Sequence, residues 1–354
     1  MLKLIRINSW WNTIVPQVLG WIYFAMLIFL FTVPYFARFK EYLVFSAVRG
    51  CLFFLALISI AAFGYLFNDL CDIESDSLAG KVNRLAQLKL PARLTAVAIP
   101  FFIGIGAWSM LMYQSWIFVF PIMNPTFLFI AQLLALILYS LEPLRAKDKA
   151  ALGVIFDAFY GHLNPVMITL SVFLVAPYLD LWFYSFFTLL GIVCFIKGIR
   201  NILLHQIEDR KQDEAAGLNT AVVKYGPWRI INFINHYLFP AEVFLLVCLM
   251  VVMSIHIPPL IIPLLCFAII SYLKMSGWKI GYADRRLLEF KFTYFMNDFY
   301  EGWLPVFMLI ILSVYRHEFV FLLILHLILF PNFIIKLFKD IKKIRENFKI
   351  EEDY

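Results

Sequence analysis

The chain has 354 residues, of which 63% are hydrophobic and 15% charged, and its mean hydropathy is +0.83. Soluble globular domains carry roughly 45–50% apolar residues, so the composition excludes a soluble fold and indicates an integral membrane protein. The formal net charge of +6 reports topology and anionic headgroups, and gives no reason to propose nucleic acid.

Ten apolar segments follow one another at about 10–35, 43–67, 93–113, 117–140, 152–176, 180–204, 229–255, 257–274, 295–315 and 318–337. Each is near the roughly 17–25 residues that a spanning helix needs. The first is too long for a signal-peptide core and no small-residue cleavage site follows it, so it is expected to be retained. If both termini are cytoplasmic, Arg38, Lys40 and Arg316 fall outside and Arg49 lies within a helix, while most of the other Lys and Arg, of 30 in all, fall inside. That asymmetry favours an even count and this orientation. Long polar loops at 68–92, 205–228 and 275–294 then share the cytoplasmic face, where long loops usually carry function. The five cysteines lack a CxxC spacing, which argues against a disulfide framework or a zinc site.

Two of these loops are copies of one another. Asp69, Asp72, Asp76 and Gly80 in NDLCDIESDSLAG match Gln206, Asp209, Asp213 and Gly217 in HQIEDRKQDEAAG at a constant offset of 137 residues, with Ala79 matching Ala216. Each copy ends an apolar run, and its acidic positions fall at i, i+3 and i+7 on one helical face. Carboxylates stacked there repel one another unless a cation holds them. Hard oxygen ligands in such a cluster suit Mg²⁺, bound together with the phosphate oxygens of a substrate. The duplication divides the chain into two helical-bundle halves, helices two to five and six to nine, with helix one before the repeat and helix ten after it.

Charged groups within a span are costly and so mark candidate sites. Asp157, Tyr160 and Asn164 share one face of helix five, with His162 nearby, and Lys197, Asn201 and His205 step toward Asp209 on helix six. Arg200 falls almost opposite Asp209 and reads as a snorkelling or interhelical partner. Asn297, Asp298 and Glu301 cluster at the cytoplasmic end of helix nine. For Asp157, Asp298 and Glu301, acceptor binding and interhelical pairing both stand. For His205, a role as base for an acceptor that loses a proton and a structural hydrogen bond both stand. The basic tail from Lys336 to Lys349 reads as a solvated or lipid-facing helix.

The run Asn68-Asp69-x-x-Asp72-x-x-x-Asp76 resembles the first signature of the UbiA superfamily of intramembrane prenyltransferases, and Asp209-x-x-x-Asp213-x-x-x-Gly217-x-x-Thr220 resembles most of the second. Tyr139-Ser140-x-x-Pro143-x-Arg145 is similar to the segment after the family's fourth helix. The resemblance covers helices one to nine. It implies an all-α polytopic fold, with a nine-helix prenyltransferase core in residues 1–315, followed over 316–354 by an extra C-terminal transmembrane helix and a basic cytoplasmic tail.

In that family an isoprenyl diphosphate binds through Mg²⁺ to both acidic motifs and its tail lies in an apolar tunnel. The C–O bond ionises to an allylic cation, which a hydrophobic or aromatic acceptor captures. Carried over by residue, the resemblance implies metal binding by Asn68, Asp69, Asp72 and Asp76 on one side and by Asp209 and Asp213 on the other. Asp69, Asp72 and Asp209, with His205, are the expected catalytic groups. Lys81, Arg84 and Arg145 would pair with phosphate oxygens, and Asn68, Tyr139, Asp157, Asn164 and Gln206 would complete the substrate contacts. The chain departs from the family at Gln206, where an Asp is usual. A neutral amide there lowers the charge of the second site, and Glu208, about 100° around the helix from Asp209, could replace it only from an irregular backbone. Two other readings remain: a membrane terpene cyclase of the same family, and a cation-coupled transporter. Against transport, both clusters lie on one face and neither lies at the bilayer midplane.

Overall fold

The computed structural model describes residues 7–32, 39–78, 80–113, 124–174, 181–276 and 296–352, and among them the regular structure is helical. Arg38, Ala79 and most of the expected loop at 275–294 fall outside the described residues. The helices are α1 (Ile7–Trp10), α2 (Ile14–Thr32), α3 (Phe39–Cys71), α4 (Ile73–Leu78), α5 (Leu90–Tyr113), α6 (Pro125–Ser140), α7 (Ala150–Ala158), α8 (Asn164–Phe173), α9 (Leu181–Ala215), α10 (Ala221–Tyr225), α11 (Pro227–Phe233), α12 (Phe239–His256), α13 (Ile261–Ser276), α14 (Leu304–Tyr315), α15 (Phe319–Leu329) and α16 (Asn332–Glu352).

Seven helical stretches among the described residues are long and apolar enough to cross a membrane, and they match predicted segments one, two, three, five, six, seven and nine. Segments four and eight are shorter apolar helices, Pro125–Ser140 and Pro258–Leu273. The tenth segment, expected as one helix over 318–337, is two: α15 and α16 meet at a bend of 76°. The cause lies in the sequence, since Pro331 has no N–H to donate and its ring obstructs the preceding turn. Phe330 accordingly leaves the helical region, with φ −128° and ψ 65°.

The chain forms two compact units, one made of Met1–Ser9, Tyr35–Phe173 and Cys194–Asn232, the other of Trp10–Pro34, Leu174–Val193 and Phe233–Tyr354. The sequence repeat and these units divide the chain differently, because the long α9 contributes to both. Both acidic motifs belong to the first unit.

Within that unit α3 packs closely on α5 and α6, because small residues sit where the helices meet. A side chain on Gly104 would press on Ile60, and one on Gly64 on Leu136. Phe63, Leu66, Leu85 and Val97 form the apolar cluster beneath the first acidic motif. Leu85 is fully buried, so it pins the loop after that motif against the helices that carry it. In the second unit Phe24 stacks on Phe186 at 4.9 Å, and Tyr23 hydrogen-bonds the buried His326 at 3.1 Å.

Three spans contain one π-helical turn each, at Phe159–Leu163, Ile234–Leu238 and Phe299–Trp303, and each turn is followed by a proline one residue further on, Pro165, Pro240 and Pro305. The physics is the same in each case. The N–H of the residue before the proline closes the wide turn on the carbonyl five residues back, Asn164 to Phe159, Phe239 to Ile234 and Leu304 to Phe299. The next carbonyl would then need the missing proline N–H. At the first turn that carbonyl belongs to Tyr160, and Gln132 of α6 donates to it at 2.9 Å. The amide of Asn164 in turn donates to Gln132 Oε1 at 2.8 Å and to the Leu128 carbonyl at 2.9 Å. Lipid offers no replacement for a lost partner, so the interhelical amides hold the widened turn.

A close approach of a glycine to the backbone of another helix in the first unit gives a test of the packing. A side chain on Gly198 of α9 would come 2.7 Å from the Ala158 backbone, whereas one on Gly106 of α5 would meet nothing within 4 Å. Gly198→Ala is expected to destabilise the protein by about 1–3 kcal/mol through overpacking, and Gly106→Ala to stabilise it by up to about 1 kcal/mol through helix propensity. Thermal unfolding of the two variants in detergent checks this, and equal shifts would contradict the packing described.

Candidate functional site

The two acidic helix ends are built alike. Gly80 and Gly217 sit in the left-handed region at φ +66° and +68°, which a side chain would strain. Around Gly80, Lys81 N donates to Asp76 O at 2.8 Å and Gly80 N to Ser77 O at 3.2 Å. Around Gly217, Leu218 N donates to Asp213 O at 2.9 Å and Gly217 N to Glu214 O at 3.1 Å. These are Schellman pairs at positions related by the same 137-residue offset. The likeness continues past the turn, where Asn83 Oδ1 accepts from Leu85 N and Ala86 N at 3.0 and 3.1 Å, and Thr220 Oγ1 accepts from Val223 N at 3.5 Å. Each acidic helix is thus stopped by a glycine and followed by a side-chain cap that starts the next turn of helix.

At the first motif, Asp72 is the hub. Its Oδ1 faces Lys147 in a close ion pair and Arg145 Nη2 at 3.1 Å, and its Oδ2 accepts from Asn68 Nδ2 at 2.9 Å. Asn68 Oδ1 accepts from Ser140 Oγ at 2.9 Å and from Lys147 Nζ at 3.0 Å. Arg145 also reaches Ser75 Oγ at 3.3 Å and pairs with Asp148 at 2.6 Å. Burial pushes the Asp148 carboxyl above its ordinary range, against the pull of Arg145 and Lys147. The Arg145 backbone is left-handed, φ 36° and ψ 63°. Such a backbone costs a non-glycine residue on the order of 1–3 kcal/mol and persists only where the surroundings over-determine it, as these ion pairs do. Asp69 is buried, and Asn83 Nδ2 donates both to its carbonyl at 2.7 Å and to Asp76 Oδ2 at 2.9 Å.

At the second motif, Asp213 is buried and lies 3.6 Å from Lys81 Nζ. That contact joins the loop of the first copy to the carboxylate of the second. His205 is exposed, with Nε2 3.8 Å from Asp209 Oδ2. Gln206 is buried and accepts from Ala221 N at 3.1 Å, so the family-atypical amide ties α9 to α10. Glu208 is exposed. The ring of Tyr139 stands edge-on to Tyr160 at 5.1 Å, Tyr160 donates to Asp157 Oδ2 at 2.9 Å, and Tyr139 lies within the electrostatic reach of Asp72, Asp157 and Asp213.

The expected residues therefore divide. Asn68, Asp72, Arg145, Lys81 and Asp213 meet in direct contacts around the two motifs. Arg84 is exposed. Asn164 is 1% exposed and its amide nitrogen clamps α8 to α6. Asp298, in the other unit, pairs with Lys336. Lys147, Ser75 and Asn83 belong to the site although sequence reasoning did not select them. Lys147 stands two residues after Arg145, and its charge was indistinguishable from the topological charges around it.

Among the described residues no three His, Cys, Asp or Glu side chains form a ready cation cage. Instead, cations of the chain itself face carboxylates on both motifs. The donor set is oxygen-rich and suits a hard divalent ion whose remaining ligands come from a bound molecule. The basic side chains suit the phosphate groups of such a molecule.

Comparison with known proteins bears on the family and the fold. The model of the UbiA prenyltransferase family matches residues 26–298. No curated protein matches the chain. In fold the chain is similar to a UbiA homologue from Archaeoglobus fulgidus bound to DMAPP and Mg²⁺, with a TM-score of 0.53 at 15% identity over 86% of this chain and 99% of that one. The same homologue bound to GPP and Mg²⁺ gives a TM-score of 0.54 at 15% identity over 86% and 98%, and bound to Cd²⁺ 0.52 at 14% over 86% and 98%.

The paired caps yield a quantitative expectation. Asn83→Ala removes two donated and two accepted hydrogen bonds from a buried position and should cost about 3 kcal/mol or more. Thr220→Ala removes one cap bond and should cost about 1 kcal/mol. Melting temperatures in detergent give the order, and a larger loss for Thr220→Ala would contradict the roles assigned to the two loops.

Proposed function

The chain belongs to the UbiA prenyltransferase family, and from that we propose that it is a Mg²⁺-dependent enzyme moving a prenyl group from an isoprenyl diphosphate to a hydrophobic or aromatic acceptor within the membrane. The observation that carries this reading is the pair of acidic helix ends with matching glycine stops, joined through Lys81 to Asp213 and attended by Lys147 and Arg145 on Asp72. That the homologue from Archaeoglobus fulgidus binds DMAPP and GPP with Mg²⁺ supports the donor class.

Asp69, Asp72 and Asp76, with Asn68, would hold metal on one side of the diphosphate, and Asp209 and Asp213 on the other. When bound, the ion neutralises the departing diphosphate. The cations now on Asp72 and Asp213 supply the rest. Lys147 and Arg145, beside Asp72, and Lys81, beside Asp213, would pair with phosphate oxygens, Arg145 in bidentate fashion, and so stabilise the charge that develops on the leaving group. Tyr139 and Tyr160 offer aromatic faces to an allylic cation, with Asp157 behind them as a polar group for the acceptor. His205, exposed beside Asp209, is the candidate to accept the acceptor's proton. The Lys and Arg distribution supports a cytoplasmic site with both termini on that side.

The test uses purified protein, prenyl diphosphates of several lengths and Mg²⁺, with and without membrane lipid extract, and identifies products by mass spectrometry. Turnover should stop in excess EDTA and fall by about a hundredfold or more in Asp72→Ala. Gln206→Glu, which keeps the length and the acceptor oxygen offered to Ala221, should remain active, whereas Gln206→Asp falls short of that N–H by one methylene. Undiminished activity in EDTA would sink the metal-dependent step. Efficient formation of cyclic hydrocarbons from the diphosphate alone would replace transfer by cyclisation.

A further inference from the structure

The bend at Pro331 changes what the C-terminal segment can do. Helix α15 has 11 residues, about 16 Å at 1.5 Å per residue, against a hydrocarbon core of about 30 Å. It therefore does not cross the membrane by itself. Helix α16 then leaves at 76° to it, so with α15 along the membrane normal α16 runs close to the membrane plane. Its start is anchored at one end of the span Met296–Tyr315. Lys336 pairs there with Asp298, and Phe333 packs edge-on to Trp303 at 5.5 Å and closes on Gly302, where a side chain would come within 2.6 Å. The helix thus starts against Gly302 and Trp303 and comes level with the first turn of that span at Lys336.

Past this anchor the composition changes sense. Between Lys336 and Arg345 five cations stand against one acid, Asp340. Ile335, Phe338 and Ile341 are exposed, at 46%, 68% and 49%, on the face that also carries the exposed Lys342 and Arg345. These positions repeat at three and four residues along one side of the helix. Large apolar side chains flanked by long cationic ones on a single outward face are the pattern of a helix lying in the headgroup layer, with its rings and branched chains in the acyl boundary and its charges snorkelling to phosphate.

We propose that α16 is a second lipid-recognition element, an in-plane helix that binds the anionic phospholipid headgroups of the bilayer through Lys339, Lys342 and Arg345 and inserts Phe338 and Ile341 beneath them. A crossing helix would carry those charges through hydrocarbon, and a solvated tail would leave the apolar stripe in water; the in-plane placement avoids both costs.

The experiment is hydrogen exchange with mass spectrometry on the full-length protein in phosphatidylcholine nanodiscs, with and without phosphatidylglycerol. Amides of 336–350 should exchange more slowly when phosphatidylglycerol is present, and the added protection should vanish in high salt. Each cation near an anionic surface is worth about a fivefold change, so reversing Lys339, Lys342 and Arg345 to Glu should remove roughly a hundredfold of protection while α14 exchanges as before. Those residues are exposed, and unchanged exchange of α14 together with thermal unfolding in detergent verifies that the variant is folded. A Phe338→Ser, Ile341→Ser variant should lose protection in both lipids. Exchange of this segment independent of lipid charge would overturn the proposal. So would protection that persists in detergent alone, or that follows protein concentration as in contact with a second copy.

Discussion

Carboxylates at the end of a helix that emerges from lipid persist only if something answers their charge, and in this protein the answer is built into the chain. Asp72 is held by Lys147 and Arg145, and Asp213 by Lys81. The cations arrive from different loops, so the ion pairs fix the relation of α3 to the α6–α7 connection and of the first acidic loop to the end of α9. The rest of the site follows from this constraint. The left-handed Arg145 backbone is tolerated because its guanidinium has three acidic partners within reach. Leu85, driven into the core between α3 and α5, keeps Asn83 under the carboxylates rather than in water.

The acidic spacing, its duplication and the two glycines were legible in the sequence because each is a local rule. Carboxylates at helical spacing share a face, and a glycine after them permits a left-handed stop, so Gly80 and Gly217 could be paired before any coordinates. The family resemblance rested on the same residues and carried the all-helical fold with it. Lys147, by contrast, reads in sequence as one more positive-inside charge, and only the tertiary contact separates it from Lys149 beside it. Gln206 read as a missing ligand. Its bond to Ala221 depends on how α10 folds back, which no spacing rule gives.

The bend in the C-terminal segment and the three wide turns had a signal of another kind. Pro331 interrupts a run whose hydropathy alone spells one helix, and hydropathy averages over the missing N–H. Pro165, Pro240 and Pro305 do the same inside spans, yet there the helix continues, because one residue of extra width and a donor such as Gln132 absorb the defect. At Pro165 the carbonyl left without its proline N–H is taken up by a neighbour across the interface, Gln132 of α6.

The self-pairing of the acidic motifs bears on how the protein is made. During insertion, a helix end with three unanswered carboxylates would resist its place beside the headgroups of an anionic leaflet, which repel it. With Arg145 and Lys147 on Asp72, and Lys81 on Asp213, part of that charge is answered within the chain, and the fold can be completed before any ligand arrives. The resident cations thus hold both acidic helix ends without a ligand, and completing the fold and assembling this cluster draw on the same few side chains.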